Sequence, residues 1–397
     1  MKNDAQEMLR LFHAELTHIR RDIHAHPELA FEETRTSQLV ADKLAEWGIE
    51  VHRGLARTGV VGVIPGKKKG GAIGLRADMD CLPLTEVADL PHKSRHAGRM
   101  HACGHDGHTT MLLGAARYLA QTRNFAGTAH VIFQPAEEGG GGGRVMVEEG
   151  LFDRFPCDAV YAVHNWPGMP PGKIAVRPGP VMAATDEIKL KVRGRGGHAA
   201  LPHLAVDPVV IAAHVITALQ TIASRNANPV DAVVVSLCSM QTSQLGAFNI
   251  IPSHVELVGT VRTFTPEMRD LAERRMREIS DAVALGLGGS AELEYHRGYP
   301  ATINAEREAR FAARVGEKVF GRGNVVTDHE PTMGGEDFSY MLQACPGAYV
   351  FLGQGGAQGG CLLHNPAYDF NDDVIPLGAG YLAALVEEAL PLEEGRL

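Results

Sequence analysis

Nine consecutive residues, Met100-His101-Ala102-Cys103-Gly104-His105-Asp106-Gly107-His108, hold three histidines, a cysteine and an aspartate. A thiolate and imidazoles are the donors that zinc, nickel, cobalt or manganese accept. The two glycines let backbone fold closely around an ion. In a loop or extended segment, Cys103 and His105 can face one ion. The bland alternative is a polar loop with chance histidines. Four further pieces weigh against it: Glu137-Glu138, His164, His364 and the pair Asp78 and Asp80. Adjacent carboxylates repel unless a cation lies near. On extended backbone Glu137 and Glu138 would point opposite ways, one to bind metal and the other to face solvent and move protons. Asp78 and Asp80 would orient ligand imidazoles or merely cap a turn. Together these residues describe a dinuclear metal hydrolase site.

Three pieces stand apart from this set. His198 lies in the glycine-flanked stretch 194–203, Asn249 opens Asn249-Ile250-Ile251-Pro252, and Arg262 ends a β-branched run. A surface salt bridge is the plain reading of Arg262. The functional one is a guanidinium that grips a substrate carboxylate with two bonds.

Such residues need a scaffold. Apolar residues at helical spacing predict a helix over 5–26, then one over 37–47 capped by Gly48. Strands are expected at 49–52, 59–64, 72–77, 128–133 and 159–164, with helices at 109–120 and 145–149. Strands alternating with helices indicate an α/β sheet. Asp78–Asp80, 134–138 and His164 all fall where such strands end, which is where ligands gather in these sheets. From 185 the pattern changes to β-α-β-β-α-β: strands at 187–193, 232–240, 255–263 and 291–296, with helices at 206–224 and 266–285. That order is ferredoxin-like and complete in itself, so it reads as an insertion. The α/β pattern resumes with a helix at 305–320, a strand at 348–352 and a helix at 375–390. The expected division is 1–184 and 298–397 for the catalytic domain and 185–297 for the inserted lid/dimerisation domain. The glycine runs 139–143 and 353–360 read as loops.

Bulk properties exclude several classes. The chain has 397 residues, too many for one small core. Its net charge of -9 argues against a nucleic-acid surface, which needs clustered positive charge. Six cysteines without framework spacing read as reduced thiols of a cytosolic protein. The stretch 1–26 is charged and lacks a signal-peptide core. No run of about 18 apolar residues stands out to span a membrane.

The motifs Arg76-Ala77-Asp78-Met79-Asp80, 101–108, Gln134-Pro135-Ala136-Glu137-Glu138-Gly139, His164-Asn165, 194–198, Gly334-Gly335-Glu336-Asp337-Phe338 and His364-Asn365-Pro366 occur in this order. In that combination the chain resembles the hippurate hydrolase, auxin-conjugate hydrolase and N-acyl-amino-acid amidohydrolase branch of the aminoacylase/carboxypeptidase metallopeptidases. The resemblance spans nearly the full length. It implies a mixed-sheet, zinc-peptidase-like catalytic domain holding two divalent metals and a smaller ferredoxin-like lid that makes a homodimer or higher oligomer. It also implies Cys103, His105, Glu138, His164 and His364 as ligands and Glu137 as general base. His198 and Asn249 would reach an active site, that of the partner subunit, with His198 steadying the oxyanion. Where the wider superfamily carries His-x-Asp, this chain has Asp78-Met79-Asp80, and Cys103 with His105 compensates. The expected activity is hydrolysis of N-acyl amino acids in the cytoplasm. The rivals are a dipeptidase or carboxypeptidase and a non-catalytic metal-binding protein.

Overall fold

The computed structural model describes residues 4–356 and 361–392. It divides into two compact units: one of Met1–Val181, Ile303–Glu330 and Asp337–Leu397, the other of Met182–Thr302 and Pro331–Glu336. The longer helices are α1 (Asp4–Ala25), α2 (Thr34–Glu46), α3 (His105–Thr122), α4 (Gly142–Glu148), α5 (Pro208–Leu219), α6 (Pro266–Gly286), α7 (Glu306–Phe320), α8 (Phe338–Ala344) and α9 (Ile375–Ala389). The longer strands are β1 (Glu50–Leu55), β2 (Gly59–Pro65), β3 (Lys68–Asp78), β4 (Ala126–Gln134), β5 (Ala159–Pro167), β6 (Ala184–Arg193), β7 (Val233–Thr242), β8 (His254–Thr263), β9 (Ser290–Arg297) and β10 (Gly347–Gly355).

The larger unit is α/β, as expected. Its eight-stranded sheet runs β1-β2-β4-β3-β5-β10, continued by the short strands Ile174–Ala175 and Val325–Val326. β4, β3, β5 and β10 are parallel, while β1 and β2 add antiparallel at one side. Beyond the exposed start of β3, the inner strands are almost wholly buried, so they read as continuous apolar runs rather than alternating ones. Register does the positioning. Asp78 pairs Gln134, and Arg76 pairs Ala162, so Asp78 and His164 stand level two residues further on. The helix end at α2 follows from glycine: Gly48, at φ 70°, donates to Ala45 O while Ile49 donates to Leu44 O, closing a Schellman motif.

The smaller unit carries a four-stranded antiparallel sheet, β7-β8-β6-β9, with α5 and α6 packed on it. Alternation in β6 and β8 puts Ile188, Leu190, Val192, Val255, Leu257 and Val261 into its core. Pro266 opens α6 and Thr265 caps it, accepting from Met268 N. The helical stretch Pro208–Asn226 is long and apolar enough to cross a membrane by length and composition. Its buried face, Ile211, Ala212, Val215, Leu219 and Ile222, belongs to this core.

Three local expectations change. α3 starts at His105, not Thr109, because Gly104 takes φ 95° and the whole first turn is buried. Gly107 is obligatory there, since a Cβ would lie 2.2 Å from the Phe370 ring. Glu137-Glu138 forms a turn rather than extended chain. Of the run 353–360, Gly353 and Gly355 belong to β10, and 357–360 lie outside the described residues.

Candidate metal centre

The loop before α3 and the first turn of α3 present Cys103, His105 and His108, all buried. β5 presents His164 from the same sheet end as Asp78. The turn after β4 brings Glu137 and Glu138, and His364 comes from the segment after β10, held at φ 63° with its N–H on Ala102 O. Cys103, His105 and His164 place donor atoms within 4.8 Å of one another. Cys103, Glu138 and His364 do the same, as do His105, Glu137 and Glu138. Two donor triads therefore share the Cys103 sulfur, an arrangement suited to a pair of ions.

The tautomers point the same way. His105 Nδ1 lies 2.9 Å from Asp80 O, and His164 Nδ1 lies 2.7 Å from Asn165 O. A carbonyl only accepts, so each Nδ1 carries a proton and each Nε2 is the nitrogen left to face the donor cluster. Burial disfavours charge on His105, but Asp78 and Cys103 raise its pKa well above the usual range. His164 Nε2 faces Cys103 Sγ at 3.5 Å. His105 Nε2 is buried with no hydrogen-bond partner among the described residues. A buried ring nitrogen without a hydrogen bond, among a thiol and carboxylates, fits a cation that would take it as a ligand in place of its proton. Burial pulls the His164 pKa well below its usual range, helped by His108, which leaves the neutral imidazole a metal requires. Burial raises the Cys103 thiol, and Glu138 adds to this, so the thiolate needs a cation to form. His364 is pushed up to about 10 by its hydrogen bonds to Cys103 and then Glu138; its Nε2 is 3.2 Å from Glu138 Oε1.

Asp78 and Asp80 have different tasks. Asp80 accepts the backbone N–H of Glu137 at 3.0 Å and of Glu138 at 2.9 Å, one on each oxygen, and so anchors the dyad turn. Asp78 lies 2.7 Å from His108 Nδ1 and takes Arg76 Nη1 at 2.7 Å. Burial works against its charge, but His105, His108 and Arg76 overcome this and hold it well below the usual carboxylate range. Of the dyad, Glu137 is the more buried and Glu138 the more open, so the proton-moving candidate is not the solvent-facing one.

Reasoning from the sequence missed two groups of residues. His108 Nε2 lies 2.6 Å from Asn165 Oδ1, and the Asn165 amide donates to Tyr368 Oη and Gln354 Oε1. Asp337 receives Arg76 Nη2 at 3.0 Å, Gln134 Nε2 at 2.7 Å and Gly143 N at 2.7 Å, tying β3, β4 and α4 together. Asp337 sits in the Gly334–Phe338 motif, which was the available signal.

The remaining residues belong to the smaller unit. His198 is exposed on a two-residue strand paired with Ile250–Ile251, its Nδ1 accepting Ala200 N at 3.1 Å. Asn249 is exposed, and its carbonyl accepts Ala199 N. Arg262 is half-buried on β8, and its guanidinium contacts Thr260 Oγ1 and Val261 O. Burial lowers its pKa, against the pull of Asp186.

Residues 74–388 match the model for peptidase family M20/M25/M40. Hippurate hydrolase of Campylobacter jejuni is 42% identical over 371 residues, covering 94% of this chain and 95% of that protein. N-acetylcysteine deacetylase of Bacillus subtilis is 36% identical, covering 95% and 97%. The crystal structure of the Bacillus subtilis YXEP protein, described as a dinuclear metal binding peptidase of the M20 family, superposes with a TM-score of 0.84 at 33% identity, covering 96% and 99%.

Proposed function

The chain belongs to peptidase family M20/M25/M40, and from that premise we propose that it is a metal-dependent amidohydrolase that cleaves N-acyl amino acids to a carboxylate and a free amino acid. The observation that carries this reading is the pair of donor triads sharing Cys103, with His105 Nε2 buried and without a geometric hydrogen bond beside them. Two divalent ions (zinc, manganese, cobalt or nickel) held by Cys103, His105, Glu138, His164 and His364 supply Lewis acidity when bound, acidifying water and polarising the amide carbonyl.

The chain's own residues do the rest. Glu137, held by Asp80 through its backbone N–H, takes a proton from the attacking water. The water oxygen bonds to the acyl carbon, the C–N bond breaks, and Glu137 passes the proton to the leaving nitrogen. Asp80 and Asn165 keep the imidazoles of His105 and His164 in the ligating tautomer through their carbonyls. His198, a lid residue by family resemblance, steadies the developing oxyanion, while Asn249 and the guanidinium of Arg262 are the candidates to hold the amino acid's carboxylate and backbone. The resemblance supports a homodimer in which His198 and Asn249 serve the partner's site, and the unpatterned cysteines support a cytoplasmic location.

The test is a panel of N-acetyl, N-benzoyl and indole-acyl amino acids against dipeptides, with metal content measured in parallel. Turnover of N-acyl amino acids that disappears on chelation and returns with metal is the expected result. Turnover of dipeptides alone would make the protein a peptidase, and tight metal binding with no turnover at all would make it a binding protein. For the subunit arrangement, exchange between His198→Ala and Glu137→Ala proteins should restore activity in mixed dimers; no recovery despite proven exchange would refute it.

A further inference from the structure

Non-glycine residues seldom adopt positive φ, because Cβ then crowds the backbone. Six described residues do so in the left-handed region: Phe31, Ala56, Arg57, Arg123, Ala136 and His364. Four of the six gather around one carboxylate. Glu33 Oε1 accepts Phe31 N at 3.0 Å and Ala136 N at 2.9 Å, where φ is 63° and 56°. Glu33 Oε2 accepts the Thr58 hydroxyl at 2.6 Å, and Ala56 and Arg57 form the turn leading into Thr58. Left-handed residues clustered in this way mark a conformation that surrounding structure imposes.

Glu33 stands immediately before α2, where a capping side chain would accept from the first N–H groups of its own helix. It makes no such cap. Its side chain instead turns inward and is fully buried. Ala136 directly precedes Glu137-Glu138. The turn beyond it packs on the same cluster, since a Cβ on Gly140 would lie 2.7 Å from Ala136 Cβ and 3.0 Å from Phe31 Cε2.

We infer that Glu33 is a positioning residue for the dyad turn: its buried carboxylate holds Ala136 left-handed and so fixes where the Glu137 carboxylate stands. Asp80 grips the turn by the next two N–H groups, so three successive amides, of residues 136, 137 and 138, are held by two acids. With the Glu33 bond gone, Ala136 relaxes toward its preferred φ and Glu137 leaves its place for part of the time. Burial pushes the Glu33 carboxyl up to about 7, against the pull of the Thr58 hydroxyl. A neutral amide therefore imitates it well: in Glu33→Gln, Oε1 still accepts both N–H groups and the NH2 faces Thr58 Oγ1.

This inference rests on Glu137 being the general base, so Glu137→Gln is measured alongside. At full metal occupancy, verified by elemental analysis, Glu33→Ala should lose about 10–100-fold in kcat with KM within about threefold, as a base displaced by about 1 Å would. Glu33→Gln should stay within about threefold of wild type. Adding Ala136→Gly to Glu33→Ala should recover at least about fivefold, because glycine adopts positive φ without strain; a residue that merely supports the fold would give no such recovery of kcat. Glu33→Ala within threefold of wild type, Glu33→Gln as impaired as Glu33→Ala, or no recovery in the double variant would each overturn the inference. If Glu137→Gln keeps its turnover, the assignment of the base fails instead. If Glu33→Ala does not fold, Thr58→Val carries the test: a roughly 3–10-fold loss in kcat is expected, and a wild-type rate overturns the inference.

Discussion

Replacing Asp80 by alanine should damage stability and catalysis together, by amounts that follow from its two hydrogen bonds. The carboxylate is fully buried and accepts Glu137 N and Glu138 N, one per oxygen, at 3.0 and 2.9 Å. Alanine leaves both donors buried without an acceptor. Each such group costs roughly 1–3 kcal/mol, so the pair costs about 2–6 kcal/mol. Part of this is offset, because Asp80 also repels the Glu33 carboxylate. A net loss of about 3 kcal/mol shifts the folding equilibrium by on the order of 100-fold. Asp80→Asn keeps one carbonyl acceptor and should lose about half as much. Urea unfolding is best followed on chelated protein, where ligand linkage cannot mask the difference. On metal-loaded protein, kcat on an N-acyl amino acid should fall by about 100-fold, the effect of misplacing a catalytic group by about 1 Å. A urea midpoint equal to wild type, together with kcat within threefold, would refute the reasoning: the turn would then hold its shape without the carboxylate.

Cys103→Ser should lower bound metal far more than Cys238→Ser, because the Cys103 sulfur is shared by two donor triads and Cys238 is exposed on β7; equal metal content by mass spectrometry in the two variants would remove Cys103 from the ligand set. Glu138→Gln should lose metal, whereas Glu137→Gln should keep metal and lose about 100-fold or more in turnover; the reverse pattern would exchange their roles. His24 gives a pH signature. Burial disfavours its charge, but hydrogen bonds to Asp106 and Glu86 overcome this and raise its pKa to about 9. A raised pKa means that charged His24 stabilises the fold fully below about 6.5, and that this contribution fades as pH climbs through 9. The gap in urea midpoint between wild type and His24→Gln should therefore be widest near pH 6 and narrow by pH 9.5, and a gap that widens with pH would reverse the assignment.

Much of this protein could be read from local patterns. Apolar spacing located the helices now seen at Asp4–Ala25, Pro266–Gly286 and Ile375–Ala389 and most of the longer strands, because burial of one face or of a whole strand leaves a periodic trace in neighbouring residues. The donor types of Cys103, His105, Glu138, His164 and His364 announced metal chemistry, because a ligand atom keeps its character wherever the chain carries it. What the pattern did not carry was which atoms meet. The start of α3 at His105 depends on a left-handed Gly104 and on packing against Phe370, neither of which leaves a periodic mark. Asp80 looked like an orienter of imidazoles and does hold His105 Nδ1, but it also holds two amides of a turn 57 and 58 residues away. Glu33, which no motif singled out, holds Ala136, 103 residues away. Such bonds exist only once strand register has brought β3, β4 and β5 level, so that Gln134, Asp78 and His164 end side by side. Register is set by the pairing of whole strands, a tertiary quantity, and the hydrogen bonds that aim the site's side chains follow from it.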